Sequence, residues 1–204
     1  MAVFPNSKKE YRGVMNAFWI ELAKRDVMGY RLTNVDPGTV IYPGTPIKTD
    51  EAAKTAVVCK YAVVVDVAED KKTLTVKEGH LLKSTSKVAI SGASPLVQLN
   101  IASISGDNVI VLSAQNNSIK AGDVLVEVAT TGEGQEAVVA PVALPNRVVC
   151  ALAEIDELDK TCSAAHDGIV LQNVVHYPKE YLNETAFPGS ILLIGNPKLS
   201  FIIQ

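Results

Sequence analysis

The chain has 204 residues, enough for one domain of ordinary size or two small ones. It is 48% hydrophobic and 20% charged, with a mean hydropathy of +0.19, which supplies a real core and excludes a disordered chain. A net charge of −3 lacks the basic excess of nucleic-acid binders. No apolar run approaches the roughly 20 residues that span a bilayer, so neither nucleic acid nor membrane is an expected partner.

The charge is uneven. Residues 1–35 carry six basic and three acidic side chains, and residues 150–184 carry two basic and seven acidic ones. Solvated faces are the plain explanation; a basic end meeting the acidic end of another copy is the alternative. Met1 to Gly13 is polar, with Pro5, Lys8, Lys9, Glu10 and Arg12, and has no apolar core of a signal peptide. Cys59, Cys150 and Cys162 are odd in number and widely spaced, which points to synthesis in a reducing cytoplasm and not to a disulfide framework.

In chain order, the first segment (1–35) is an N-terminal arm whose local structure stays open. Met15, Phe18, Trp19 and Leu22 fall at i, i+3, i+4 and i+7, a helix stripe, yet Phe18, Ile20 and Leu22 also alternate as a strand would. Asp26 to Gly29 fits a turn into a strand at Tyr30–Val35. Either way the cluster of Met15, Phe18, Trp19 and Leu22 needs burial, against the rest of the chain or in self-association.

Residues 36–130 read as a β core. Ala56–Val67 is a long, Val-rich run, and Glu69-Asp70-Lys71-Lys72 turns it into Leu74–Val76. Further strands are expected at Lys87–Ile90, Val97–Ile104, Val109–Leu112 and Val124–Val128. β-Branched side chains are stiff at χ1 and suit a pleated surface. Short strands with polar turns about every ten residues make the fold class mainly β, a sandwich or barrel with short helical pieces. No βαβ rhythm supports a nucleotide-binding fold.

One motif recurs: an aliphatic residue, two variable residues, Gly, two more, then Leu or Ile. It occurs around Gly44 (Ile41 to Ile47), Gly79 (Val76 to Leu82) and Gly122 (Ile119 to Leu125). Glycine reaches positive φ without steric cost, so each copy predicts a tight turn feeding a new strand, as at the rim of one barrel.

Thr130–Glu136, with two glycines, is the best linker, and residues 137–204 form a smaller C-terminal subdomain containing β structure. There Ala151–Leu158 and Glu180–Thr185 fit short helical pieces. Ile169–Val175 is an apolar stretch after the Asp167-Gly168 turn. Ile191–Ile194 and Leu199–Ile203 end the chain as strands, since an apolar terminus is normally tied into a sheet.

Catalytic and metal-binding constellations are not apparent. Cys162, His166, Asp167 and His176 match no zinc spacing. His80 stands where the other copies of the motif have Thr45 or Asp123, and reads as a polar turn residue. There is no G-x-S-x-G elbow and no phosphate-binding glycine loop. Glu154, Asp156, Glu157 and Asp159 have the spacing of a solvated helix face and are a poor cation site. No catalytic residue, cofactor or metal is expected.

Tyr11-Arg12-Gly13, the turn Pro43-Gly44-Thr45-Pro46-Ile47-Lys48, and the phrases Val76-Lys77-Glu78-Gly79-His80 and Ile119-Lys120-Ala121-Gly122-Asp123 resemble head fiber and capsid-decoration proteins of tailed bacteriophages. The resemblance covers roughly residues 10–130. It implies a non-enzymatic virion protein, from a phage or prophage, that binds the major capsid protein on the outer shell and associates with itself, most often as a trimer. Two other classes remain beside it: a small-molecule or carbohydrate-binding β module, and an enzyme with a non-obvious site.

Overall fold

The computed structural model describes residues 24–25, 29–132, 137–171, 176–181 and 198–202, with 24–25, 166–171 and 198–202 described by their backbone alone. The cluster Met15, Phe18, Trp19 and Leu22 lies outside the described residues, as do Ile191–Ile194 and most of Glu180–Thr185.

The fold is mainly β. Strands β1 (Lys24–Arg25), β2 (Tyr30–Leu32), β3 (Val40–Ile41), β4 (Pro46–Asp50) and β5 (Thr55–Val58) open the chain. Then come β6 (Tyr61–Val67), β7 (Thr73–Val76), β8 (Lys87–Ile90), β9 (Leu99–Ser105), β10 (Val109–Leu112) and β11 (Val124–Thr131). The rest are β12 (Val138–Pro141), β13 (Arg147–Val149), β14 (Ala153–Glu154), β15 (Thr161–Cys162), β16 (Ala164–Leu171) and β17 (Lys198–Ile202). A 3-10 turn at Lys179–Tyr181 is the one helical element among the described residues.

Six of these strands close a barrel in the order β6-β7-β10-β9-β8-β11, every pair antiparallel. Closure falls on β11, where Leu125 faces Ala62 of β6 on one side and Ile90 of β8 on the other. Alternation makes the interior: β7 and β10 each bury every second residue, and Val64, Leu74, Val76, Val88, Ile110 and Leu125 fill the lumen. Register shifts between Val64 and Asp66 and between Val111 and Leu112 mark bulges, which give strands the extra bend that closure needs. The β6–β7 hairpin turns where expected. Asp70 accepts from the backbone amides of Lys72 and Thr73 and from the Thr73 hydroxyl.

A second sheet runs β1-β16-β13-β4-β5-β2-β15, with β17 alongside β16. Its core is Tyr30, Leu32, Ile41, Ile47, Val58, Val149 and Ile155. Residues 36–130 therefore do not share one sheet. β4 pairs with β13 some hundred residues later, and β2 lies parallel to β5. The Val-rich run Ala56–Val67 is two strands in two sheets, broken at Cys59–Lys60, where the chain passes from the sheet into the barrel. Thr131 and Val138 face each other in the β11–β12 ladder, so the Gly-rich segment between them joins paired strands.

Ala151–Leu158 is not helical; Ala153–Glu154 instead pairs with β3. Its i, i+3 pattern has no face to bury, because Leu152 is 40% and Leu158 100% exposed. Asp156 draws the amides of Leu158 and Asp159 to its own carboxylate, an arrangement that competes with a helix. The C-terminal strand is tied in as expected, since β17 runs parallel to β16.

Candidate functional site

Barrel and sheet meet over a buried layer of Cys59, Ala89, Val126, Val148, Cys150, Ala165, Tyr177 and Tyr181. At its edge opens a cavity of about 140 Å³. Two copies of the recurrent glycine motif contribute to its lining: Tyr42–Thr45 from the sheet and Lys77–Leu81 from the barrel. The β5–β6 crossing, Val58 to Val63, and His176 complete the lining.

Local geometry explains both turns. Gly44, Gly79 and Gly122 all have positive φ (87°, 82° and 91°), as the motif predicts. The Gly44 amide donates to the Val149 carbonyl, fixing that turn on β13. The Lys77 amide donates to Val63 and the Gly122 amide to Val64, so the second and third turns sit at one end of the barrel. A Cβ on Gly79 would lie 3.9 Å from the Tyr42 ring, which places the first two turns against each other.

His80, read from sequence as an ordinary turn residue, is the unusual member. Both ring nitrogens are buried without a hydrogen-bond partner among the described residues. Burial lowers its pKa, opposed by the Asp107 carboxylate. His176 is lowered too, first by burial and then by the Lys77 ammonium. Lys60, 6% exposed, is pulled down by burial and held up by Glu127, whose carboxylate accepts from Ser86 Oγ at 2.5 Å. Asp36 of the sheet and Lys83 of the barrel form an ion pair at 2.5 Å nearby.

These shifts set a sign for acid sensitivity. An imidazole with a lowered folded pKa contributes stability that is fully present above its ordinary 6.5 and is lost as pH falls towards the folded value. Asp36, Asp70 and Asp159 are lowered instead by hydrogen bonds, so their contribution persists until pH falls through and below about 3.8. Urea midpoints measured against pH should therefore decline first just below 6.5, and His80→Gln should shrink that step to the part His176 contributes while leaving the carboxylate step unchanged.

The other residues singled out in the sequence do not converge. Cys162 is buried in the sheet core with its thiol pushed up to about 12 by desolvation. His166 and Asp167 lie on β16, with no side chain described, while His176 lines the cavity. Asp159 accepts from the amide and hydroxyl of Thr161 and so closes a turn. Among the described residues no three of His, Cys, Asp and Glu gather as a metal-binding group, and no helix is long and apolar enough to cross a membrane. All three cysteines are buried. Native protein should leave them unmodified by a thiol reagent over minutes, and denatured protein should react at three per chain.

Compared with known proteins, the chain matches no family model, no curated protein and no solved structure.

Proposed function

We propose that this chain is a non-enzymatic structural protein of a phage or prophage virion, a head fiber or capsid-decoration component. It acts by associating with itself and by binding the major capsid protein. The observation that carries this reading is a row of aliphatic side chains facing solvent at every second position from 138 to 144. Val138 is 59%, Val142 49% and Leu144 39% exposed, with Ala140 exposed between them, while Ala143 beneath is buried. Among the described residues β12 (Val138–Pro141) pairs only with β11, so the row starts on an edge strand at Val138 and Ala140 and continues past it to Val142 and Leu144. Edges of this kind are normally blunted by charge, and an apolar one is suited to packing against another chain. A closed symmetric oligomer would bury the same row on every copy, and the phrases around Gly44, Gly79 and Gly122 favour a trimer by resemblance.

Light scattering on the full chain should give a mass about three times 21.7 kDa. The pair Val138→Lys and Val142→Lys should lower it to that of one chain without changing the far-ultraviolet spectrum. Removing Met15, Phe18, Trp19 and Leu22 tests the other candidate. That cut must end at residue 23 and not at 35, because Tyr30, Leu32 and Val35 are core residues of the sheet. A full-length chain that stays monomeric at high concentration overturns the proposal.

A further inference from the structure

Independently of any role in assembly, the six residues from His176 to Tyr181 are attached in the manner of a latch. We propose that they open as a unit from an otherwise folded chain, uncovering Cys59 and Tyr61 in the layer between barrel and sheet and widening the cavity beside it.

The attachment itself carries this. Among the described residues no strand ladder includes the segment, and the backbone–backbone hydrogen bond it makes, from the Tyr181 amide to the Pro178 carbonyl, is internal. Its described hydrogen bonds to the rest of the chain all use a side chain. The Glu180 carboxylate accepts from Ser91 Oγ and from the Gly92 amide, and the Lys179 amide donates to Ser91 Oγ, each at 2.7 Å. The Tyr177 hydroxyl donates to the Gly44 carbonyl, and the Tyr181 hydroxyl to the Lys60 carbonyl at 3.3 Å. A strand such as β13 is held otherwise, by ladders to β4 on one side and β16 on the other. A segment fastened by side chains leaves without breaking a ladder, so its opening costs less than unfolding either half.

What opening uncovers follows from the packing. Tyr177 and Tyr181 are buried in one core cluster with Cys59, Val126 and Val148. Both rings meet Tyr61 edge-on, at 5.9 and 6.3 Å. His176 lines the cavity together with Cys59 and Tyr61. Cys162 belongs to the other cluster, with Leu32 and Ile155. Release of the latch therefore bares Cys59 and leaves Cys162 covered.

The test is alkylation of the full chain with N-ethylmaleimide, followed over hours and read at each cysteine by peptide mass mapping. Each rate is divided by that of the same thiol in denatured protein. Cys59 should react at least about tenfold faster than Cys162, because local opening is more populated than global unfolding. Its rate should barely change with urea below the unfolding transition, since a small opening exposes little surface. Glu180→Ala, which removes the carboxylate that grips the Ser91–Gly92 turn, should speed Cys59 roughly tenfold. Leu32→Ala should speed Cys162 more than about tenfold and Cys59 less than about twofold, because Leu32 stays packed when the latch opens. Equal normalised rates with the same urea dependence at both thiols would mean that only global unfolding reaches Cys59. A Cys59 rate untouched by Glu180→Ala would mean that the reagent enters with the latch closed. Either result overturns the proposal, and the first is read in the parent chain, whether or not Leu32→Ala folds.

Discussion

Tyr181→Ala should destabilise the protein by about 3–5 kcal/mol, the range for truncating a large buried aromatic. Tyr181 is 1% exposed and lies in the layer between barrel and sheet. Its hydroxyl donates to the Lys60 carbonyl at 3.3 Å, and its ring meets Tyr61 edge-on at 6.3 Å. Tyr61 in turn meets Tyr177 at 5.9 Å, and the Tyr177 hydroxyl donates to the Gly44 carbonyl. One residue away, the Glu180 carboxylate accepts from Ser91 Oγ and from the Gly92 amide, each at 2.7 Å. Six residues, 176–181, thus reach the crossing strand, a turn of the barrel and a turn of the sheet.

Because the hydroxyl contact is long, Tyr181→Phe should cost no more than about 1 kcal/mol. The contrast between the two variants separates packing from hydrogen bonding. Domain stabilities are commonly about 5–15 kcal/mol, so the alanine variant loses a large fraction of the total. Urea unfolding followed by tyrosine fluorescence and by circular dichroism reads both effects. An alanine variant within 1 kcal/mol of the parent would mean that this segment does not join the two halves.

How much of this was legible in sequence depends on range. Thr73–Val76 alternates cleanly, Val109–Leu112 is a short β-branched run bounded by polar turns, Asp70 sits where a hairpin needs it, and the three glycine turns need only their own φ. All are local. What failed was partnership across distance. Nothing in Ala56–Val67 marks the break at Cys59–Lys60, because the residues on both sides are apolar and β-branched, and one strand buried on two faces would look the same. The pairing of β4 with β13, and of β2 parallel to β5, leaves no periodic trace. Ala151–Leu158 shows the reverse failure, a helical spacing of Leu152, Ile155 and Leu158 in which only Ile155 is buried. The cavity was hidden for the same reason: it forms where the first copy of the motif folds against the second, and within its own turn His80 resembles Thr45 and Asp123.

Leu125→Ala should cost about 3–5 kcal/mol, and its wider consequence distinguishes a closed barrel from an open sandwich. Both architectures suit the strand pattern of residues 61–131. They differ in whether β8 ends as a free edge or pairs with β11. Here Leu125, Val126 and Glu127 face Ile90, Ala89 and Val88, while Val124, Leu125 and Val126 also face Val63, Ala62 and Tyr61. Leu125 is fully buried at this double pairing, with its side chain in the barrel core. Truncating it removes packing at the seam, where two strands distant in sequence are held by a third. Amide exchange should therefore accelerate in β6 and β8 together, with β7 and β10 less affected, because their mutual pairing does not pass through β11. Val65→Ala, at a side chain 51% exposed, provides the control and should change stability by less than about 0.5 kcal/mol. In the parent protein, the β8 amides should exchange as slowly as those of β7. If they exchange as a free edge does, and Leu125→Ala leaves them unchanged, the ring is open between β8 and β11.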